Sequence, residues 1–221
     1  MAVYSKKFAD YSDYEAYEQS GNMLTPNVSY CTQENEVRMT PYEEPVVPMM
    51  VVTYNITSTT NDTILYRDTY GTFADSMEID GQKIEGMLNS YRFDTLGDHI
   101  VKYHLTGETS IRNATLTDVN TYTDVKIPEG IETIGSTCFY VSNGNHFSSV
   151  TLPSTITIIG SYSFMSISEL TSCTIYAVTP PTLEEWAFKD TPNCIFYVPA
   201  ESVDAYKAAW PDFASRISPI Q

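Results

Sequence analysis

Between Val125 and Phe164 the chain runs through the same pattern twice. VKIPEGIETIGSTCF begins at Val125, and VTLPSTITIIGSYSF begins twenty-five residues later at Val150. Val125/Val150, Ile127/Leu152, Pro128/Pro153, Ile131/Ile156, Ile134/Ile159, Gly135/Gly160 and Phe139/Phe164 all fall in register. A repeat of this length restricts the fold sharply. One copy cannot bury its apolar edge alone, so copies must stack on one another as coils of a solenoid. Val-x-Ile or Val-x-Leu predicts a short alternating strand, closed by a proline that has no N–H to give to a ladder. Ile-x-x-Ile-Gly predicts a turn, with glycine supplying φ freedom at the bend. Phe139 and Phe164 then drop between coils, which makes Ile127, Ile134, Phe139, Leu152, Ile159 and Phe164 the expected repeat core.

Weaker copies flank these two. Downstream, Cys173-Thr174-Ile175 repeats the strand and Trp186-Ala187-Phe188 the aromatic stopper, adding Phe188 to the core, and Cys194 to Pro199 repeats the strand with its closing proline. Upstream, Val101-Lys102-Tyr103, Ile111 and Leu116 occupy the strand, turn and stopper places. End coils of solenoids are commonly atypical because one face meets something else. At the C-terminal end that partner is predicted to be a helix from about Ser202 to Trp210, with Val203, Tyr206 and Trp210 on one face and Pro211 ending it.

From Val101 to the C-terminus these residues resemble the BspA-like leucine-rich-repeat family of bacterial surface proteins, whose repeat has the form ΦxΦPxxΦxxIGxxxF. The closing stretch IFYVPAESVDAYKAAWPDF is similar to the last coil of that family. The resemblance implies a surface-exposed interaction module without catalytic machinery, and it leaves the ligand open.

Charge narrows the partners. A net charge of -16 with 12 Lys and Arg argues against nucleic acid and anionic membranes, since phosphate-tracking surfaces draw affinity from basic residues. No stretch approaches the eighteen apolar residues of a membrane span. Seventeen Tyr is a high count, and tyrosine reads first as a β-surface residue and second as a contact for sugar or protein. Cys31, Cys138, Cys173 and Cys194 show no C-x-x-C and no histidine at ligand spacing, so no metal or cofactor is expected. Cys138 and Cys173 fall in or beside repeat core positions, where a free cysteine packs as a small hydrophobe, although a disulfide stays open. His99, His104 and His146 have no catalytic company in the sequence, and His99 and His104, five apart on a strand, point to opposite faces. Glu184-Glu185 do not provide two carboxylates set across a cleft, as glycoside hydrolysis needs, and loop acids such as Asp75, Asp80 and Asp98 read as solvated rather than calcium-binding. No catalytic residue is expected. The N-x-S/T sequons at Asn27, Asn55, Asn61 and Asn113 read as turn formers.

Ahead of the repeats the chain divides in two. Residues 1–45 read as an anchor and oligomerisation segment: Ser12-Asp13-Tyr14-Glu15 has capping-box spacing and opens a short helix with Tyr11, Tyr14 and Tyr17 along one side. That stripe either packs on the chain's own strands or docks on a partner. Asn27 to Cys31 and Glu36 to Met39 then read as a small hairpin, too small to be stable alone. Phe8, Tyr11, Tyr14, Tyr17, Val28 and Tyr30 are the candidate partner-binding residues. Pro41, Pro45 and Pro48 with Glu43-Glu44 form a stiff, acidic joint. Residues 46–105 read as a small immunoglobulin-like β-sandwich, with strands at Val46 to Ile56, Thr63 to Tyr66, Ser76 to Ile84 around an Asp80-Gly81 turn, Tyr91 to Phe93 and His99 to Leu105. Residues 106–221 form the repeat domain with its cap. The expected class is mainly β.

The tyrosine-rich segment followed by LTPNVSYCTQENEVRMTPY resembles N-terminal parts of structural proteins from crAss-like phages of gut Bacteroidales, which anchor head fibres. MAVYSKKFADYSDYEAY has no apolar h-region. Together these point to a non-enzymatic virion protein, a head fibre or capsid decoration. It would bind a capsid or other virion protein through its N-terminus, form a homo-oligomer and present its repeats to a host-surface glycan or protein. The alternative is a bacterial cell-surface adhesin of the same repeat family.

Overall fold

A computed structural model describes residues 5–7, 28–31, 36–39, 48–67, 74–105, 107–111, 113, 115–116, 122–140, 142 and 147–221. The chain forms two compact units, Met1–Val46 and Val47–Gln221. In the first, β1 (Ser5–Lys7), β2 (Val28–Cys31) and β3 (Glu36–Met39) make an antiparallel sheet in the order β1-β3-β2. The expected helix with Phe8, Tyr11, Tyr14 and Tyr17 lies outside the described residues, as do the side chains of Val28 and Tyr30.

The second unit begins with β4 (Met49–Ile56), β5 (Thr63–Ile64), β6 (Ser76–Ile79), β7 (Gln82–Ile84), β8 (Ser90–Tyr91) and β9 (Gly97–His104). Asp80 (φ 50) and Gly81 (φ 80) make the two-residue turn of the β6-β7 hairpin, where left-handed residues match the twist of the flanking strands. The coils follow: β10 (Ser110–Ile111), β11 (Tyr122–Lys126), β12 (Thr133–Ile134), β13 (Ser149–Leu152), β14 (Ile158–Ile159), β15 (Ser172–Ile175), β16 (Thr182–Leu183) and β17 (Ile195–Val198). Helix α1 (Val203–Ala209), a 3-10 turn over Pro211–Arg216 and β18 (Ile217–Pro219) complete the chain.

Nine strands form one sheet in the order β18-β17-β15-β13-β11-β4-β9-β6-β7, and β10-β12-β14-β16 form a second, parallel ladder. The coils of β11 and β12, β13 and β14, and β15 and β16 each give one strand to the long sheet and a two-residue strand to the short one. Val125, Val150, Cys173 and Phe196 sit side by side in the first, and Ile111, Ile134, Ile159 and Leu183 in the second. Ile127, Ile134, Phe139, Leu152, Ile159, Phe164 and Phe188 are all buried. At the stopper position Phe139, Phe164 and Phe188 stack nearly parallel, with centroids 4.9 Å apart in both pairs. That spacing is the strand spacing, so the rings repeat at the period of the backbone beneath them.

Three features differ from the sequence reading. First, residues 46–105 do not close a separate sandwich. β4, β9, β6 and β7 pair antiparallel and continue the repeat sheet, because β4 joins β9 on one side and β11 on the other, with Val52 opposite both Val101 and Val125. The two-stranded β5-β8 sheet supplies a small cover, and the Leu65 carbonyl there accepts the hydroxyls of Tyr54 (2.5 Å) and Tyr103 (3.0 Å). Second, Val101-Lys102-Tyr103 are not the strand of an upstream coil. Their strand runs antiparallel and is separated from β11 by β4, whereas Ile111 and Leu116 do lie on the solenoid, Leu116 N–H bonding the Cys138 carbonyl at 2.8 Å. Third, glycine in Ile-Gly is not there for φ freedom. The left-handed residues of the corner are Thr137 (φ 54) and Tyr162 (φ 60). Gly160 donates to the Ile134 carbonyl at 2.8 Å, and a Cβ added to it would lie 2.7 Å from that same oxygen. Close approach of coil to coil is what demands glycine.

Candidate functional site

The third coil departs from the pattern of the first two at its corner, and a cleft opens there. Where they have Gly135 and Gly160 it has Glu184, and where they have Thr137 and Tyr162 it has Trp186, again left-handed at φ 58. Glu184 turns its carboxylate back along the stack and accepts the N–H (2.9 Å) and hydroxyl (3.0 Å) of Ser161. Trp186 is 48% exposed, the largest side chain presented by a corner among the described residues. The edge of Tyr162 meets its ring at 5.3 Å, and the Lys189 ammonium sits over it at 4.0 Å from the centroid.

The chain beyond the last coil builds the opposite wall. Helix α1 is short, and its apolar face holds it. Tyr206 is fully buried and donates to the Ala177 carbonyl at 2.7 Å, while Trp210 donates through Nε1 to the Pro181 carbonyl at 3.1 Å. Pro211 stops the helix by removing the next N–H and starts the 3-10 turn, which brings Asp212 and Phe213 beside the last coil. Between these walls is a half-open cleft of about 630 Å³ floored by Leu183, Phe188 and Phe213, with Glu184, Trp186, Lys189 and Asp212 at its rim. This volume is within the range of ligand-sized recesses.

The solvent face of the long sheet carries Thr53, Asp124, Ser149 and Ser172 in one cross-strand row, and the Ser149 hydroxyl donates to Asp124. Such rows tie coil to coil.

Among the described residues no three His, Cys, Asp or Glu side chains converge as a metal site. Cys138, Cys173 and Cys194 are free and buried, and burial is the main cause that pushes Cys138 and Cys194 up to about 12 and Cys173 well up. The thiolate is the nucleophile, so at neutral pH these are packing groups. His99 lies between Asp80 (Nδ1 to Oδ2, 2.6 Å) and Thr95, a juxtaposition that the sequence did not announce. It lacks a base. Nε2 is closer to the Thr95 carbonyl (3.0 Å) than to its hydroxyl (3.2 Å), and Asp80 also accepts the Ile100 N–H at 2.9 Å, so the group locks the β6-β7 turn to β9. His104 faces the other side of β9, 3.2 Å from Glu78. Among the described residues no helix is long and apolar enough to cross a membrane.

Sequence reasoning placed Trp186 and Phe188 in a coil but missed the cleft. The available signal was the departure of Glu184 and Trp186 from the repeat. The family model for the BspA type leucine rich repeat region matches residues 89–207, in six copies. No curated protein matches the chain.

Proposed function

The chain belongs to the BspA-type leucine-rich-repeat family, and on that footing we propose that it is a non-enzymatic surface protein whose repeats present an interaction face. The family match across residues 89–207 carries this reading. The coils bury their apolar side chains against each other, so corners and rims are free to meet a partner. Of the two surfaces considered, the bacterial cell surface is favoured, since repeats of this type are typical of proteins found there, whereas a head-fibre role rests on residues 1–45, outside the match. Attachment and self-association through residues 1–45 belong to the same proposal, as does a host-surface glycan or protein as ligand.

Proteolysis of intact source cells tests it. A surface protein is digested by added protease while a cytosolic marker survives. Full protection of the chain in intact cells, with digestion only after lysis, would overturn the reading.

A further inference from the structure

The cleft at the end of the solenoid holds a side chain that behaves like a ligand. Lys189 lays its ammonium over the exposed face of Trp186, 4.0 Å from the centroid, although it is surrounded by solvent and could extend into it. A cation is drawn to an indole face by the ring quadrupole, and a long aliphatic stem gains further by lying on apolar surface. Apart from Lys189 itself and Arg216, whose guanidinium lies 5.0 Å from the Phe213 ring, the charged groups nearby are acidic. Glu184 and Asp212 stand on the rim, Glu185 and Asp190 flank the coil, and the chain has 28 Asp and Glu against 12 Lys and Arg. Pro180, Pro181, Leu183 and Phe213 offer apolar surface within the same recess. The cleft thus combines an aromatic platform, apolar walls and an acidic rim, with the protein's own lysine on the platform.

We propose that this cleft receives a cationic segment of a protein partner, an arginine or lysine side chain that takes the place of Lys189 on Trp186 and sets its charge against Glu184 and Asp212. The proposal rests on the reading of the chain as an interaction module and gives that module a class of partner. Arginine fits better than lysine, because its planar group stacks on an aromatic face and is more weakly hydrated. Ser161 holds the Glu184 side chain in place before binding, so that group needs no further ordering. A neutral saccharide would also use a tryptophan platform. It would gain nothing from the acidic rim.

Calorimetric titration of the full chain with a tetra-arginine peptide at physiological salt tests this. Trp186→Ala and the pair Glu184→Gln with Asp212→Asn should each weaken binding about tenfold or more, consistent with loss of a cation–π contact or of facing charges. Asp204→Asn, an exposed acid on α1 outside the cleft, should leave it unchanged. The sharpest arm removes the internal competitor. Lys189→Ala should tighten binding several-fold, while Lys207→Ala, which changes net charge equally but lies on α1 outside the cleft, should not. Equal binding by the Trp186 variant, equal effects of Lys189 and Lys207, or heat released by a neutral oligosaccharide such as cellohexaose and not by the peptide would each overturn the proposal. None of these outcomes bears on protease accessibility at the cell surface, so the broader reading stands or falls separately.

Discussion

The antiparallel half of the long sheet, β4 with β9, β6 and β7, and the parallel half, β11 to β18, share one hydrogen-bonded surface but fill their cores differently. In the parallel half each core position is handed on from coil to coil. Phe139, Phe164 and Phe188 make a stack in which the middle ring is covered on both faces, and no polar atom is needed. In the antiparallel half no position repeats, and large side chains of different kinds meet. Tyr54, Tyr66, Tyr103 and Met77 are buried there, and the hydroxyls of Tyr54 and Tyr103, 2.8 Å apart, both turn to the Leu65 carbonyl. Burial raises the pKa of both phenols, so they stay neutral and able to donate. A periodic backbone permits a core of apolar layers that repeat in position from coil to coil. A non-periodic one fills irregular space with amphipathic rings and must then satisfy their polar tips.

The largest expected effect tests the stack. Phe164→Ala removes the ring between two others and should cost about 3–5 kcal/mol in urea unfolding. A loss below about 1 kcal/mol would mean that the rings are not the coil-to-coil core. Next comes the coil-to-coil approach. Gly160→Ala forces a Cβ against the Ile134 carbonyl and should cost about 1–3 kcal/mol. Gly130→Ala, at φ 93 with open space around it, should cost about 1 kcal/mol from backbone strain alone. If the two variants lost the same stability, the proximity argument for Gly160 would fail.

In the antiparallel half the corresponding probe is polar. Tyr103→Phe deletes one of two hydroxyls on the Leu65 carbonyl and should cost about 1 kcal/mol, since Tyr54 still satisfies the acceptor. The double change with Tyr54→Phe strands that carbonyl and should exceed the sum of the singles, which a double-mutant cycle measures. The smallest effect lies on the sheet face, where the Lys102 hydrogen bond holds Glu78 below the ordinary carboxyl range, with His104 adding a smaller pull. A depressed folded-state pKa stabilises above the unfolded value and is lost as pH falls through the folded value. Glu78→Gln should therefore lower the melting temperature slightly at pH 7, and the gap from wild type should close below about pH 4. A gap that widened in acid would reverse the assigned sign.

Much of the parallel half was legible because its determinants are local and repeated. The twenty-five-residue offset put Val125 beside Val150, Ile134 beside Ile159 and Phe139 beside Phe164, and the structure pairs them. Tyr206 and Trp210 on one face and Pro211 after them likewise announced the capping helix. The antiparallel strands were readable one by one from alternation, with the Asp80-Gly81 turn between two of them. Their common sheet with the repeats was not readable, because alternation tells a strand which face is buried and says nothing about which strand lies beside it.

By itself, then, the sequence determined the period, the residues that face inward and the points where the chain turns, since these depend on spacing along the chain. Only the tertiary structure decided that β4 joins the two halves, that Gly160 serves close approach, and that Glu184 and Trp186 meet Asp212 and Phe213 across a cleft. Each of those facts is a contact between segments far apart in sequence, and it depends on which elements the fold lays beside one another and how closely, which alternation and repeat spacing do not encode.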